Sequence, residues 1–227
     1  NVKSISYYGW GDGMDVFSSS NVILDGVFCR NSDDCAAVYA STQGFKGGSN
    51  NVLVKNATLW ADVAHPINIG GHGDPNGMDT VQNVTFRNID ILDQAEKQID
   101  YQGCLAINPG DNTLVRNITF ENIRIEDFRN GQLVNFRISF NPKYCVSTGR
   151  GIQNVLVKDV TYNGSGENLS IIAGYDENHK IFGIRFVNLV VNGRKITDDM
   201  PGKPKWYKTG DMAGIFVGEH VENISFE

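Results

Sequence analysis

The stretch Asn83-Val-Thr-Phe-Arg-Asn-Ile-Asp-Ile91 decides the fold of this 227-residue chain. Its apolar residues alternate with polar ones, as in a β-strand that buries one face, and Asn88 interrupts the alternation before it resumes. An interruption of this kind indicates a sharp bend between two short strands. Related stretches begin at Asn21, Asn51, Asn117, Asn154 and Gly183, and another starts at Asn223.

These stretches recur at intervals of about 30–40 residues, and no helical periodicity separates them. Strands at such a period are typical of a solenoid of stacked coils, an all-β parallel β-helix. The alternatives are a sandwich, with turns every 8–12 residues, and a propeller, with four strands in each blade. Only two or three strands fit each copy here. Equivalent coil positions lie about 4.8 Å apart, so we expect an amide ladder in register at one bend. Its members are Asn21, Asn51, Asn83, Asn117 and Asn154.

Composition excludes several classes of protein. Apolar residues make up 41% of the chain and charged residues 20%, which is enough apolar material for one core. The net charge of −6 argues against a nucleic-acid partner, and no apolar run is long enough to span a membrane. Strand-like patterns occur at both ends, at residues 1–6 and 223–227. We therefore expect residues 1–227 to form a single β-helix domain, a fragment of a longer chain that lacks N-terminal coils.

The four cysteines, Cys29, Cys35, Cys104 and Cys145, contain no C-x-x-C pair and no histidine at zinc-ligand spacing. Two interpretations remain open, four buried thiols or one disulfide such as Cys29–Cys35. Since no other metal motif is present, neither a metal nor a cofactor is expected.

Acidic residues gather near the start of the chain, at Asp12, Asp15, Asp33 and Asp34. Asp12 and Asp33 are 21 residues apart, which is about one compact coil and would place them on adjacent rungs. Carboxylates at such a short distance raise one another's pKa. Glycoside hydrolysis requires a protonated acid beside an ionised base, and this cluster can supply both. The alternative is structural, because Asp-Gly and Asn-x-Asp are ordinary turn sequences.

Histidines and aromatic residues follow the acids. His65 and His72 could tune the carboxyl pKa values or bind sugar hydroxyls, or they could be ordinary turn residues. Trp10 and Tyr39 are candidate platforms for sugar rings, although an aromatic residue in a solenoid can equally fill the coil interior. The same two interpretations apply to Tyr7, Tyr8 and Trp60.

Three motifs together resemble the polygalacturonase family: Asp12-Gly-x-Asp15, Asn31-x-Asp33-Asp34-Cys35 and the Gly/His segment around residues 64–73. The resemblance implies a single-stranded right-handed parallel β-helix of the pectin lyase-like kind. It also implies that Asp33 is the general acid, and that Asp12 and Asp34 activate water from the other side of the sugar in a single inverting displacement. We therefore expect the three acids to face one open cleft, with roughly 6.5–9.5 Å between the carboxyl groups of acid and base. Asp33 and Asp34 can share a site only if the strand bends between them, and Asp15 is expected to support the turn.

The chain also departs from the family pattern. His65, followed by Pro-Ile-Asn-Ile-Gly, fits the family histidine better than His72 does. The Arg-Ile-Lys motif is missing near Leu105, and Arg137-Ile-Ser139 comes one coil later without the lysine, so Arg137 is a candidate for substrate binding. These two cations hold uronic carboxylates in polygalacturonases, so a neutral glycan becomes a plausible substrate. The segment 183–196 resembles the related dextranase and isopullulanase family.

The sequence therefore predicts an inverting glycoside hydrolase that acts on a polysaccharide or oligosaccharide. One alternative is a non-catalytic carbohydrate-binding or adhesin β-helix. The other is a polysaccharide lyase or epimerase, for which Arg30 would be the only base beside the acids. We expect a monomer that is secreted, periplasmic or at the cell surface.

Overall fold

A computed structural model describes residues 2–166 and 168–227, so Asn1 of the first strand-like pattern lies outside the described residues. The strands form two sheets of stacked coils, and every strand pair in the described ranges is parallel except β14–β15. The first sheet contains β1 (Val2–Ile5), β3 (Ser20–Asp25), β4 (Val27–Asn31), β6 (Asn50–Ala61), β8 (Thr80–Gln94), β10 (Leu114–Ile125), β12 (Gly151–Tyr162), β14 (Ile181–Val191), β15 (Arg194–Ile196) and β17 (Val221–Phe226). The second contains β2 (Met14–Phe17), β5 (Ala36–Tyr39), β7 (Ile67–Gly70), β9 (Leu105–Asn108), β11 (Val134–Arg137), β13 (Ser170–Ala173) and β16 (Ile215–Val217).

Helical structure is confined to a 3-10 turn at Ile99–Tyr101 and a short helix, α1, at Thr209–Met212, within the ranges that the structure describes. Neither has both the length and the apolar character that a membrane span requires. The right-handed parallel β-helix predicted from the sequence is confirmed.

The predicted asparagine ladder is also confirmed. The residues after its members pair in one register, Val22 with Val52, Val52 with Val84, Val84 with Ile118 and Ile118 with Val155. Asn51 Nδ2 donates to Asn21 Oδ1 at 2.7 Å, and Asn117 Nδ2 donates to Asn83 Oδ1 at 3.1 Å. One rung differs, because Asn83 Nδ2 donates to Asn50 Oδ1 at 2.8 Å.

A second ladder explains the interruption inside each repeat. Asn88 Nδ2 donates to Asn56 Oδ1 at 2.7 Å, and Asn122 Nδ2 donates to Asn88 Oδ1 at 3.3 Å. The φ angles of these three residues are 53–55°, in the left-handed region that asparagine tolerates better than most residues. The strands β6, β8 and β10 are therefore each interrupted by a left-handed asparagine at this bend, as the sequence predicted, and in β12 Asp159, with a φ of 52°, takes the same place.

Apolar residues from both sheets fill the coil interior. In β10, Ile118, Phe120, Ile123 and Ile125 are all buried. The rings of Phe86 and Phe120 stack with centroids 5.9 Å apart, because equivalent positions of successive coils lie directly above one another. All four cysteines are buried free thiols, so the alternative of a Cys29–Cys35 disulfide is wrong.

Candidate active site

The acidic residues lie where the chain bends from the first sheet into the second. Asp33 and Asp34 occupy the bend between β4 and β5, so both can reach one site, as the sequence required. Asp12 lies directly beneath them, because Gly13 N donates to Asp34 O at 2.8 Å. Only glycine fits after Asp12, since a Cβ on Gly13 would lie 2.3 Å from the Cys35 carbonyl oxygen.

One carboxylate oxygen from each of Asp12, Asp33 and Asp34 lies within 4.8 Å of the other two. The convergence predicted from the 21-residue spacing is therefore present. This distance joins only one oxygen of each carboxylate, so the separation of roughly 6.5–9.5 Å expected between the carboxyl groups of an inverting acid and base stays a prediction. Such a cluster could also ligate a cation. No metal was expected from the sequence, and that expectation stays a prediction.

Asp34 is buried, with 1% of its surface exposed, and is held by four hydrogen bonds. Oδ1 accepts from the backbone nitrogen of His65 at 3.1 Å and contacts His65 Nδ1 at 2.8 Å. Oδ2 accepts from the Tyr39 hydroxyl and from Asn68 Nδ2, both at 2.7 Å. Asp34 was expected to face an open cleft, but it faces a polar network at the back of the site.

Burial and mutual repulsion set the protonation of this cluster. Burial alone would raise the pKa of Asp34, but the charge and hydrogen bonds of His65 and the hydrogen bonds from Asn68 and Tyr39 hold it below the usual value. Asp34 is therefore a fixed anion. Burial and the charges of Asp33 and Asp34 raise the pKa of Asp12 to about 6. Burial and the Asp34 charge also raise the pKa of Asp33, and acids this close titrate as a coupled group.

Asp15 does not support a turn, contrary to the sequence expectation. It lies in β2, and its side chain lines the same pocket as the three clustered acids. Partial burial in the pocket, together with the charges of Asp12, Asp34 and Asp33, raises its pKa to about 7. The site therefore contains a fourth carboxylate.

The acids open into a pocket of about 500 Å³. Its floor is the outer face of the second sheet around Tyr39, and its walls come from loops that follow β1, β7, β8 and β11. The lining includes Tyr7, Trp10, Asp12, Asp15, Asp33, Asp34, Tyr39, His72, Glu96, Gln98, Tyr101, Lys143 and Tyr144.

The two histidines take different places. His65 is completely buried and contacts Asp34 from behind, as expected of the histidine nearer the acids. His72 lines the pocket, makes no hydrogen bond with an acid of the cluster in the described residues, and packs its ring edge-on to Tyr39 with centroids 5.0 Å apart. Burial lowers the pKa of His72. Its predicted role in binding substrate stays a prediction.

The aromatic candidates also divide. Trp10 is 84% exposed and lines the pocket, so its face is free for a sugar ring, and Tyr7 is similarly placed. Tyr39 was predicted as a stacking platform for a sugar ring, but its own ring is buried in the floor of the pocket and its hydroxyl donates to Asp34. Trp60 lies outside the pocket beneath the guanidinium of Arg30, 4.2 Å from the ring centroid.

We expect Tyr39→Phe to lower the free energy of unfolding by about 1.5–3 kcal/mol, because it removes a hydrogen bond to a buried carboxylate. Thermal unfolding measures this loss. Tyr7→Phe, at an exposed position, is the matched control and should leave the melting temperature unchanged. Equal stability of the two variants would show that the Tyr39 hydroxyl does not hold Asp34.

The structure places Arg137 outside the pocket, and its predicted role in substrate binding stays a prediction. It lies at the end of β11, three coils or about 14 Å from Tyr39 along the second sheet. Arg30, the base considered for a lyase, pairs instead with Asp62, with Nε and Oδ2 2.8 Å apart. The dextranase-like segment 183–196 contributes no residue to the pocket.

Sequence reasoning missed several residues of the pocket wall, among them two pairs that come from loops. Glu96 and Tyr101 come from the loop after β8, and Lys143 and Tyr144 come from the loop after β11. The signal that could have found them is the growing interval between repeats, from 30 residues at Asn21–Asn51 to 37 at Asn117–Asn154. Extra residues in a solenoid coil form loops on one face, which is often the binding face.

Comparison with known proteins assigns this chain to a protein family. A family model described as glycosyl hydrolases family 28 matches residues 9–200. A probable endo-xylogalacturonan hydrolase A from Neosartorya fischeri is 29% identical over 164 residues, which cover 71% of this chain and 38% of that protein. A putative galacturan 1,4-alpha-galacturonidase A from Aspergillus niger is 23% identical over 171 residues, 67% of this chain and 37% of the relative.

An exopolygalacturonase from Cochliobolus carbonum is 30% identical over 126 residues, 51% of this chain and 26% of its own length. The chain thus spans well under half the length of these relatives. No solved structure matches it.

Proposed function

Since the chain belongs to glycosyl hydrolases family 28, we propose that it hydrolyses glycosidic bonds in a pectin-type polysaccharide of the galacturonan class. The observation that carries the proposal is the convergence of Asp12, Asp33 and Asp34 at one pocket. The relatives named above, whose names specify galacturonan or xylogalacturonan, support the substrate class. The neutral glycan expected from the missing Arg-Ile-Lys motif finds no support in those names.

Asp33 is the general acid in this proposal. It is partly exposed in the pocket, and burial beside the Asp34 anion favours its protonated form. It donates its proton to the glycosidic oxygen as the bond from that oxygen to the anomeric carbon breaks, so the leaving sugar departs as an alcohol.

Asp12 is the general base. Its side chain lines the pocket, and the Asp34 backbone nitrogen donates to its Oδ1 at 3.2 Å, so we assign Oδ2 to the attacking water. Asp12 removes a proton from that water as its oxygen bonds to the anomeric carbon, which inverts the configuration.

Asp34 acts through its neighbours in this scheme. Because its oxygens are engaged by His65, Asn68 and Tyr39, we assign the activation of water to Asp12 alone and not, as the resemblance implied, to Asp12 and Asp34 together. Asp34 is a positioning residue that holds Asp12 through its backbone nitrogen and supplies the negative charge that keeps a proton on Asp33.

The acid limb of the pH profile should report Asp12. Desolvation and the Asp34 charge keep the pKa of Asp12 above its usual value even when Asp33 carries its proton, and the Asp33 charge brings it to about 6, so kcat/KM should fall about tenfold for each pH unit below this raised pKa. A pH–rate profile measures this limb, with melting temperatures at each pH as the control for unfolding. A limb near pH 4, the usual range of an aspartate, would contradict the raised pKa.

Incubation of the purified full-length protein with a panel of polysaccharides, followed by a reducing-sugar assay, tests the proposed function. The panel contains galacturonan, xylogalacturonan, methyl-esterified pectin and dextran. We expect new reducing ends from the galacturonan-type polymers. Binding of these polymers without cleavage would favour the adhesin alternative, and cleavage of dextran alone would overturn the substrate class. Action as a secreted monomer stays a prediction.

A further inference from the structure

We propose that the ammonium group of Lys143 binds a carboxylate of the substrate, so that this loop residue selects uronate units over esterified or neutral ones. The inference rests on the proposed function and deepens it. It assigns to the loop after β11 the cation that the second sheet lacks at Leu105–Ile107.

The charge balance of the pocket requires such a group. Five carboxylates line it, and Lys143 is the one lysine or arginine among the described residues of its wall. His72 adds little positive charge, because burial lowers its pKa. An anionic polymer approaching these acids would meet net repulsion unless a cation faced its carboxylates. The carboxylates are Asp12, Asp15, Asp33, Asp34 and Glu96.

Lys143 is exposed and makes no ion pair with an acid in the described residues, whereas Lys46 on a neighbouring loop is paired with Asp74 at 2.8 Å. Its Nζ lies 4.8 Å from the centroid of the Tyr144 ring, a cation–π contact that orients the ammonium group without neutralising it. The backbone nitrogen of Lys143 donates to Asn141 Oδ1 at 3.1 Å, which fixes the local turn. The cation is therefore oriented and free to bind an anion.

A continuous series of contacts connects Lys143 to the acids. The Tyr144 ring stacks on Tyr101 with centroids 5.1 Å apart and an angle of 18° between the planes. Tyr101 contacts the His65 ring edge-on at 4.3 Å, and His65 bonds to Asp34. The cation thus lines the same pocket as the acids and is connected to them through packed aromatic rings.

The test compares Lys143→Gln, Lys143→Arg and the wild-type protein on galacturonan and on its methyl ester. A hydrogen bond to a charged group contributes about 1.5–3 kcal/mol, so Lys143→Gln should lower kcat/KM on galacturonan by about 10–160-fold. Activity on the methyl ester should change little, and Lys143→Arg should retain most of the activity on galacturonan. Lys97→Gln removes an exposed lysine that does not line the pocket, and should leave both activities unchanged.

Calorimetric binding of a galacturonate oligosaccharide and of its methyl ester to the same variants separates this inference from the proposed function. If the wild-type protein cleaves neither polymer, the proposed function fails, and a selective loss of galacturonate binding in Lys143→Gln still supports the assignment. Equal losses on the acid and the ester, or no loss on either, would overturn the role of Lys143.

Discussion

Asp33→Asn should lower turnover by at least about 10²–10⁴-fold while leaving the fold and polysaccharide binding intact. Asparagine has the shape of aspartate but no proton that it can give to the glycosidic oxygen. Asp33 has its side chain partly exposed in the pocket, so the substitution disturbs no buried network of the kind that surrounds Asp34. The measurements are kcat on galacturonan and the melting temperature. Asp199→Asn, on an exposed loop that does not line the pocket, is the matched control.

Substrates with an activated leaving group distinguish the role of Asp33 from that of Asp12. Such substrates need less protonation, so Asp33→Asn should retain more activity on them than on the polymer. Asp12→Asn should lose activity on both kinds of substrate alike, because water activation does not depend on the leaving group. Full activity of Asp33→Asn on the polymer would remove Asp33 from the mechanism.

Phe120→Ala should lower the free energy of unfolding by about 3–5 kcal/mol, the usual cost of removing a buried phenylalanine ring. Phe120 is completely buried, and its ring stacks on Phe86 and Phe136 with both centroid separations at 5.9 Å. The cavity would therefore interrupt contacts between neighbouring coils and between the two sheets.

Denaturant or thermal unfolding measures this loss. Phe216→Ala is the matched control, because Phe216 is 57% exposed on the outer face of β16 and its loss should cost far less. A similar, small effect of both substitutions would contradict the assignment of Phe120 to the interior of the coils.

The fold could be predicted because the sequence pattern of each coil specifies its own strands and bends. The alternation in Asn83–Ile91 buries Val84, Phe86, Ile89 and Ile91, and the left-handed asparagines separate these groups at fixed spacing. Both features depend on neighbours in sequence and on the coil above or below, which repeats the same pattern. The one shifted rung, where Asn83 bonds to Asn50, depends on side-chain rotamers that the pattern does not encode.

The acids of the candidate site could be predicted for the same reason. Asp12 and Asp33 are separated by about one coil, so the repeat itself brings them together. Asp15 lies in a strand and not in the predicted turn. The pattern Met14-Asp-Val-Phe17 allows this strand, with Asp15 on its outer face, but the Asp12-Gly13 turn signal two residues earlier favoured a turn.

The remainder of the pocket could not be predicted from periodicity. Tyr101, Lys143 and Tyr144 belong to loops that leave the repeat and fold back over the second sheet. Their path depends on contacts between loops of different coils, such as the stacking of Tyr101 on Tyr144. Arg137, by contrast, belongs to a repeat strand, so its rung and its separation from the acids follow from the repeat itself.

The configuration of the first product is the most direct test of the central claim, hydrolysis by Asp33 and Asp12 through a single displacement. Proton NMR of a galacturonan digest follows the anomer that forms before mutarotation. We predict new reducing ends whose anomeric configuration is opposite to that of the cleaved bond. Reducing ends of the same configuration, or an ultraviolet-absorbing unsaturated uronate of the kind that a lyase produces, would contradict it.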